Sequence, residues 1–198
     1  MAFTFFFRDM HTLKLIQEHV VPVLKTRMYM DIWDAGCAHG PEPYSMAILL
    51  HENMGKFMFR NVRIYATDIY DQFGAVIEKG VYSDEQVKRI PADMLQKHFS
   101  PADIPGHFVI AEPIRKSVRF QHHDLTSLKP VKSGLGLVLC KNVLLHLTQE
   151  ERVNVIRMFH DALSDGGFLA MEQTQKLPKE TQGWFRRVTP DAQVFQKT

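Results

Sequence analysis

The sequence predicts an α/β fold with a mostly parallel sheet and helices on both faces. Short apolar segments of strand length alternate along the chain with longer segments of helical periodicity. Three of the apolar segments end in glycine, aspartate or asparagine, residues that commonly begin a loop. Strands and helices in alternation form βαβ units. Ligands of such sheets bind at the carboxyl ends of the strands, near the point where the strand order reverses.

Four elements are predicted in the first part of the chain. Tyr29–Gly36 is a short apolar run that ends in glycine, which is typical of a buried strand. Glu42–Asn53 has apolar residues near helical spacing, and Pro43 lies in its first turn, where a missing N–H costs nothing. Val62–Asp68 is rich in β-branched and aromatic residues and predicts a second strand. Tyr70–Gly80 predicts a helix that ends at its glycine.

A second group of elements is predicted towards the C-terminus. Thr148 and Glu151 form a capping-box pattern, so a helix is expected to begin there and to end at Gly166–Gly167. Strands are predicted at Leu135–Asn142, at Phe168–Gln173 and, in the sequence AQVFQK, at residues 192–197.

The segment from Tyr82 to Phe120 interrupts this alternation. It contains four prolines, a short helical segment (PADMLQKHF) and two strand-like pieces, HFVIAE and SVRFQHHD. The segment is too long for a simple crossover. We therefore expect a small antiparallel β subdomain, roughly Ser83–Arg119, inserted in a single domain that spans residues 1–198.

Composition excludes several classes of protein. The chain has 198 residues, of which 45% are hydrophobic and 23% charged, as in soluble globular proteins. Lys and Arg number 24 against 22 for Asp and Glu, and the resulting net charge of +2 is too small to indicate a nucleic-acid partner. No apolar run approaches the ~20 residues of a membrane helix, so no membrane insertion is predicted.

Two cysteines and the N-terminal segment indicate a cytoplasmic protein. Cys37 and Cys140 both lie in apolar stretches and are expected to be reduced, although the sequence alone leaves their pairing open. Arg8 and Asp9 interrupt the apolar N-terminus, and no signal-peptide cleavage pattern follows. We expect a monomer.

The loop after the first predicted strand, DAGCAHG, is a candidate ligand-binding loop. Its glycines, Gly36 and Gly40, do not match the G-x-G-x-x-G pattern of nicotinamide enzymes. Asp68, at the end of the next strand, can accept both hydroxyls of a ribose, and it follows the glycines by more than the ~20 residues of nicotinamide folds. This spacing favours a different adenosine-bearing cofactor. A tight turn at the glycines and a helix cap at Asp68 are the alternatives.

Five segments then resemble one family. They are TFFFRD (Thr4–Asp9), IWDAGCAHGPEPYSMA (Ile32–Ala47), YATDI (Tyr65–Ile69), FQHHDL (Phe120–Leu125) and LCKNVLLHL (Leu139–Leu147). In this order they resemble the chemotaxis receptor methyltransferases, the CheR family of S-adenosylmethionine (SAM)-dependent protein-glutamate O-methyltransferases. The resemblance implies a class I SAM-dependent methyltransferase fold, which is Rossmann-like, and S-adenosylhomocysteine (SAH) as the cofactor product.

The resemblance also implies which residues bind the cofactor. They are Thr4, Arg8, Gly36, Cys37, Glu42, Asp68, Ile69, Asp124, Leu125, Lys141 and Asn142. Thr4 and Arg8 match a segment that holds the amino-acid end of the cofactor, and Arg8 can pair with its carboxylate. The glycine loop would cradle the methionine part, and Asp68 would accept the ribose hydroxyls.

The remaining matches lie around the reacting centre and the adenine. Glu42 would face the positive end of the cofactor, and Asp124 with Leu125 would lie beside the adenine. Lys141 and Asn142 match a strand end next to the reacting centre, so the predicted catalytic residues are Arg8, Lys141 and Asn142. No metal is predicted, because the histidines that precede Asp124 lack a second cluster at zinc-like spacing.

Several positions depart from the family pattern. Pro41 replaces an acid, Lys141 replaces arginine, and His146 and Leu147 stand in for tyrosine and phenylalanine. The family's N-terminal helical domain has no expected counterpart in this sequence. The leading expectation is methylation of glutamates on a chemoreceptor-like protein, for which the inserted subdomain would provide partner recognition. The alternatives are a small-molecule or different protein substrate, and a non-catalytic SAM-binding signalling module.

Overall fold

Ten strands are present in the computed structural model, which describes residues 4–198. They are β1 (Met30–Ala35), β2 (Val62–Asp68), β3 (Val81–Ser83), β4 (Phe99–Pro101), β5 (His107–Ile110), β6 (Val118–His122), β7 (Leu135–Cys140), β8 (Leu163–Met171), β9 (Phe185–Arg187) and β10 (Val194–Lys197). Seven of them form one sheet in the order β6-β2-β1-β7-β8-β10-β9. The first five strands of that order are parallel, and β10 pairs antiparallel with β8 and β9. The predicted mostly parallel sheet is therefore confirmed.

Eight α-helices connect or flank the strands of the described chain. They are α1 (Met10–Leu15), α2 (Val21–Leu24), α3 (Pro41–Phe59), α4 (Phe73–Lys79), α5 (Asp84–Val87), α6 (Ala92–His98), α7 (Glu112–Ser117) and α8 (Gln149–Ala162). A π-helical turn joins α1 to α2, and 3₁₀ turns lie at Leu125–Ser127, Leu144–His146 and Lys179–Trp184. Among residues 4–198, no helix combines the length and the apolar character needed to cross a membrane.

The predicted helix signals are mostly confirmed. Gly80 ends α4 in the left-handed conformation, with φ 61°, and its N–H donates to Val76 O. At the start of α8, Thr148 N–H donates to a Glu151 carboxylate oxygen and Glu151 N–H donates to Thr148 Oγ1, which is a capping box. The helix predicted at Glu42–Asn53 is longer than expected, since α3 continues to Phe59 across an interruption at Gly55.

The glycines Gly166 and Gly167 do not end a helix, contrary to the prediction. Helix α8 ends at Ala162, and both glycines lie inside β8 where its register with β7 shifts. Gly166 has φ 67°, and a Cβ on Gly167 would lie 3.0 Å from Leu135 O. The glycines are therefore needed for a bulge and a close backbone approach. A glycine pair after a helical segment is also typical of a helix end, so the local sequence does not distinguish the two roles.

A small antiparallel sheet is confirmed, but one predicted piece of it lies elsewhere. The small sheet has the order β3-β5-β4 and spans Val81–Ile110. The strand-like piece SVRFQHHD forms β6, which pairs parallel with β2 in the main sheet. Its role as a sheet edge depends on a long-range pairing that its own sequence does not reveal.

The apolar core lies on both faces of the main sheet. Met30 and Ile32 of β1 contact the cluster that includes α3 and the small sheet, whereas Trp33 and Ala35 contact the cluster that includes α8. This alternation follows the two-residue period of a strand. Phe6 and Phe7 are buried in the first cluster, so the N-terminal segment covers this part of the core.

Ionic and aromatic contacts attach the small sheet to the core. His98, at the end of α6, lies with Nε2 2.9 Å from Glu52 Oε1, and Lys97 Nζ lies 2.8 Å from the other carboxylate oxygen of Glu52. Tyr82 of β3 packs edge-on against Phe6 and Tyr44. The small sheet is thereby fixed to α3 and to the N-terminal segment.

Candidate functional site

The carboxyl ends of β1 and β7 form a crevice at the point where strand order reverses. From β1 the chain moves outward to β2 and later to β6, and it then returns to place β7 on the opposite side of β1. The loops after β1 and β7 therefore leave the sheet in opposite directions. Ligands of open α/β sheets bind in such a crevice. The predicted site residues after β6, β2, β1 and β7 follow one another along this edge, over about 14 Å at the usual strand spacing of about 4.8 Å.

The glycine loop (residues 36–40) follows β1 and is shaped by two left-handed glycines. Gly36 has φ 106° and Gly40 has φ 104°. A Cβ on Gly36 would lie 2.0 Å from Val143 Cγ2, and one on Gly40 would lie 2.6 Å from the Tyr82 hydroxyl oxygen. The N–H groups of Gly36 and Cys37 both donate to Thr67 O, at 2.8 and 2.9 Å. The loop is thus held against the end of β2, and Val143 and Tyr82 occupy the space that a side chain at either glycine would need.

Asp68, at the end of β2, lies against the glycine loop. Its Oδ2 accepts a hydrogen bond from Ala38 N–H at 3.0 Å, and its Oδ1 accepts one from Tyr70 N–H at 3.1 Å. The carboxylate remains half-buried, and each oxygen keeps capacity for a further donor. Ile69, the next residue, is 56% exposed and Tyr70 is 60% exposed, so an apolar surface adjoins this carboxylate.

Glu42 and Lys141 form a buried ion pair across the crevice. Lys141 Nζ lies 3.1 Å from Glu42 Oε2, and the side chains are only 2% and 14% exposed. Burial alone would lower the pKa of Lys141, but the Glu42 carboxylate, with Asp9 and Asp34, raises it above its ordinary value. Lys141 therefore carries its charge and holds Glu42 at the start of α3.

Arg8 and Asn142 meet on the open side of this pair, although 134 positions separate them. An Arg8 guanidinium N–H donates to Asn142 Oδ1 at 3.2 Å. Asn142 has φ 58°, a left-handed conformation that asparagine tolerates better than most residues. The N-terminal segment is anchored nearby, because Phe7 N–H donates to Ser45 Oγ at 2.8 Å. The structure therefore brings together two of the three predicted catalytic residues directly, with Lys141 adjacent in sequence.

The other predicted site residues are less closely tied to the crevice. Thr4 is half-buried at the start of the described chain. Asp124 follows β6 and accepts hydrogen bonds from the Thr126 N–H and hydroxyl, which lower the pKa of its carboxyl group. The Leu125 side chain packs in the core cluster beneath α8. Their predicted contacts with the cofactor remain predictions.

Cys37 lies in the glycine loop as a buried thiol. It is 1% exposed, and burial raises the pKa of its thiol far above the ordinary value, with Asp34 adding to the rise. Cys140, at the end of β7, is also buried and free. The two cysteines are unpaired, as predicted, and both are inert packing groups rather than nucleophiles.

Asp34 is a residue of this site that sequence reasoning did not include. It lies on β1 beside the glycine loop, it is fully buried, and burial raises the pKa of its carboxyl group well above the ordinary 3.8. Among residues 4–198, neither of its carboxylate oxygens has a hydrogen-bond partner. The strand sequence MDIWDA contains two acids, Asp31 and Asp34, and these were the available signal, because a buried acid requires a partner or a ligand.

Comparison with known proteins is consistent with this geometry. The matching family model describes the SAM-binding domain of CheR methyltransferases and covers residues 2–194. Chemotaxis protein methyltransferase 2 of Vibrio cholerae is 29% identical over 182 residues, which are 89% of this chain and 62% of that protein. Chemotaxis protein methyltransferase 1 of Pseudomonas aeruginosa is 28% identical over 90% of this chain and 69% of its own length. The chain therefore spans about two thirds of the length of these relatives.

Solved structures share the fold at much lower identity. A methyltransferase from Geobacter sulfurreducens aligns with a TM-score of 0.53 at 11% identity, over 96% of this chain and 81% of that one. TrmN from Thermus thermophilus aligns with a TM-score of 0.54 at 12% identity, over 93% of this chain and 48% of that one. The fold is that of class I SAM-dependent methyltransferases. Since the family model spans both the sheet and the crevice, the chain belongs to the CheR methyltransferase family through its SAM-binding domain.

Proposed function

We propose that this protein transfers a methyl group from SAM to glutamate side chains of a chemoreceptor-like signalling protein. The observation that carries the proposal is the glycine loop (residues 36–40), which lies between the Asp68 carboxylate on one side and the Lys141–Asn142 strand end on the other. This arrangement combines a proposed site for an adenosyl group with polar side chains at the strand end where the sequence resemblance predicts the reacting centre.

The residues present fit the cofactor. The two left-handed glycines hold the loop in a tight turn that no other residue would fit, because a Cβ at Gly36 or Gly40 would collide with Val143 or Tyr82. SAM carries ribose hydroxyl groups that donate hydrogen bonds, and the Asp68 carboxylate has acceptor capacity for them. It also carries a carboxylate, for which the half-buried guanidinium of Arg8 is a suitable partner. The donors and acceptors of the site are therefore complementary to those of the ligand.

The bound cofactor would supply an electrophilic methyl group on a sulfonium. A glutamate side chain, with a pKa of about 4.3, is already ionised at neutral pH and attacks without a general base. The chain's own residues need only align the acceptor oxygen and exclude water. Alignment of this kind contributes up to ~7–11 kcal/mol in intramolecular reactions.

Asn142 is the group best placed to orient the acceptor carboxylate, while Arg8 holds the carboxylate of the cofactor. Asn142 is half-buried, and because its Oδ1 accepts a hydrogen bond from Arg8, its amide N–H groups remain for the acceptor. Lys141, by contrast, is 2% exposed and bound to Glu42, so its function is to hold the ion pair next to Asn142. The proposed catalytic set thus divides into Asn142 at the acceptor, Arg8 at the cofactor and Lys141 as their support.

The small sheet is proposed to hold the protein substrate. The Tyr82 hydroxyl of β3 donates to His39 O at 3.0 Å, which joins the small sheet directly to the glycine loop. A cavity of about 440 Å³ lies beside this contact, between α4 and α5, and is lined by His39, Gln72, Phe73, Val76 and Gln86. A substrate held there would lie next to the crevice.

Transfer of labelled methyl groups tests the proposed function. The protein is incubated with methyl-labelled SAM and receptor cytoplasmic fragments, and base-labile release of methanol identifies a glutamyl methyl ester. Fragments in which the candidate glutamates are replaced by alanine serve as the control. We expect label on the unmodified fragments only. Binding of SAM or SAH without transfer to any fragment would contradict the proposed substrate.

A further inference from the structure

Three side chains that commonly bind metal ions meet where α3 contacts the end of α6. His51 and Glu52 are adjacent on α3, and His98 is the last residue of α6. His51 Nδ1 lies 3.9 Å from Glu52 Oε1, and His98 Nε2 lies 2.9 Å from the same oxygen. The three ligand atoms all lie within 4.8 Å of one another, and among residues 4–198 no other set of three histidine, cysteine or acidic side chains comes together in this way.

One ring nitrogen of this group has no partner. His51 Nδ1 is buried and, within the described chain, makes no hydrogen bond. The His51 ring packs edge-on against Phe59 and His98, with ring centroids 5.0 and 5.2 Å apart, so its orientation is fixed. A hydrogen bond between His98 and Glu52 explains the positions of those two residues but leaves His51 Nδ1 unsatisfied. A buried ring nitrogen without a partner is costly in either tautomer, so it requires an explanation.

We propose that His51 Nδ1, Glu52 Oε1 and His98 Nε2 bind a divalent transition-metal ion, for which Zn²⁺ is the best suited. Two imidazoles and one carboxylate are a common ligand set for Zn²⁺, whereas Mg²⁺ and Ca²⁺ prefer oxygen ligands alone. Metal–ligand distances of ~2.0–2.2 Å in a tetrahedral site place the ligand atoms about 3.3–3.6 Å apart. The observed separations of 2.9 Å, 3.9 Å and at most 4.8 Å are close enough for side-chain rotation to complete the site.

Contacts outside the three ligands hold them in place. Lys97 Nζ donates to Glu52 Oε2 at 2.8 Å, so Oε1 is the oxygen that faces the two histidines. The backbone of His98 is fixed as well, because its carbonyl oxygen accepts a hydrogen bond from Ala111 N–H at 2.7 Å. Outer contacts of this kind orient the ligands of metal sites. The proposed site is therefore largely preformed.

Solvent can reach the proposed site. The Glu52 side chain is 23% exposed, and His51 lines a cavity of about 370 Å³ between α3 and α7. The side chains supply three of the four positions of a tetrahedral zinc ion, and a water molecule would supply the fourth. Lys56 and Lys97 are nearby positive charges, but both are exposed, so solvent screens them. Their repulsion should make the affinity lower than that of a closed structural zinc site.

A metal ion at this position would join α3 to the small sheet. His98 directly precedes β4, so the ion would add to the contacts that fix the small sheet to the core. The site is separate from the crevice, since His51 lies ten residues into α3, about 15 Å along the helix axis from its start. The inference therefore goes beyond the proposed function and does not depend on it. The sequence did not reveal this site, because 46 positions separate Glu52 from His98 and only folding brings them together.

Thermal unfolding with and without Zn²⁺ tests the inference. The protein is first treated with a chelator, and its melting temperature is then measured in metal-free buffer, with Zn²⁺ and with Mg²⁺. At a free Zn²⁺ concentration of about 100 times the Kd, we expect the melting temperature to rise by about 5–10 °C. Mg²⁺ should leave it unchanged. Calorimetric titration should give one Zn²⁺ bound per chain.

Two variants assign the ligands. His51→Ala removes one ligand, and Glu52→Gln removes another while it keeps the shape of the side chain, so each should lower zinc affinity at least tenfold. His160→Ala is the matched control. His160 also precedes an acid on a helix, with Nδ1 3.2 Å from Asp161 Oδ1, but within residues 4–198 no third ligand joins this pair. This control should bind Zn²⁺ as the wild type does.

Each protein is compared with itself without zinc, so that a change in basal stability does not affect the comparison. Absence of a zinc-dependent rise in the wild type would overturn the inference. Zinc affinity that is the same in wild type as in His51→Ala or Glu52→Gln would overturn it as well, because the ion would then bind elsewhere. SAH binding is measured separately, so failure of the metal site leaves the proposed function intact.

Discussion

Replacing Lys141 by methionine tests whether its ion pair with Glu42 stabilises the floor of the site. The two charges lie 3.1 Å apart and the lysine side chain is 2% exposed. At this separation and an effective dielectric constant of ~20, the Coulomb attraction is about 5 kcal/mol. Removing one partner of a buried pair costs about 3–5 kcal/mol, because the remaining charge stays uncompensated. We expect the free energy of unfolding to fall by this amount at pH 7, a large share of the ~5–15 kcal/mol of a typical domain.

Urea denaturation of three variants measures the effect. Lys132→Met is the matched control, since Lys132, in the loop before β7, pairs with Asp31 of β1 at 2.8 Å but is 37% exposed. Its loss should be at most about 1 kcal/mol. The double variant Glu42→Gln with Lys141→Met removes both charges and should recover at least half of the loss. If Lys141→Met is no more destabilising than Lys132→Met, the reasoning from the buried pair is refuted.

The pH dependence of this loss has a definite sign. The pKa of Lys141 is raised above its unfolded value of 10.5, chiefly by Glu42 acting against the effect of burial. Its contribution is therefore fully present below about pH 10 and is lost as the pH rises through the raised value. The difference in stability between wild type and Lys141→Met should stay constant from pH 7 to pH 9 and narrow at higher pH. A difference that narrows below pH 9 would contradict this assignment.

Three further predictions concern the site and the small sheet. Asp68→Ala should weaken SAH binding at least tenfold by calorimetry, because hydrogen bonds to a charged acceptor contribute about 1.5–3 kcal/mol each. Asp71→Ala, at an exposed position nearby, is the control and should leave SAH affinity unchanged. Asn142→Gly removes the side chain, and glycine tolerates the local φ of 58°. Turnover should fall by a larger factor than SAH affinity, and equal losses of turnover and affinity would contradict a role of Asn142 in the transition state. Glu52→Gln should lower the urea midpoint at pH 7, and its difference from wild type should shrink as the pH falls below 4.5, since a hydrogen bond from Lys97 lowers the pKa of Glu52; equal midpoints at pH 7 would contradict this.

Features that depend on local sequence could be predicted well. The strand Val62–Asp68 has the predicted bounds, and the capping box of Thr148 and Glu151 forms as expected. The glycine loop lies at the predicted strand end. Each of these depends on a few adjacent residues, whose backbone conformation is decided by turn chemistry and by side chains within reach of one turn.

Features that depend on pairing across the chain could not be predicted in the same way. The sequence predicts the segment of β6 as part of the small antiparallel subdomain, yet it pairs parallel with β2 about fifty positions earlier in the sequence. The contact between Arg8 and Asn142 joins positions 134 residues apart. The family resemblance indicated that Arg8 and Asn142 belong to one site. Only the folded structure shows that they touch each other, and that β6 pairs with β2.

Asp34 shows why burial must be known before a residue's chemistry can be judged. In sequence it is one of two acids in the strand MDIWDA, and the other, Asp31, is paired with Lys132 at 2.8 Å. Within residues 4–198, packing leaves Asp34 without a hydrogen-bond donor, next to an ion pair whose lysine is already occupied. The site therefore retains an acid that reduces the stability of the ligand-free fold, which is a common cost of a binding site.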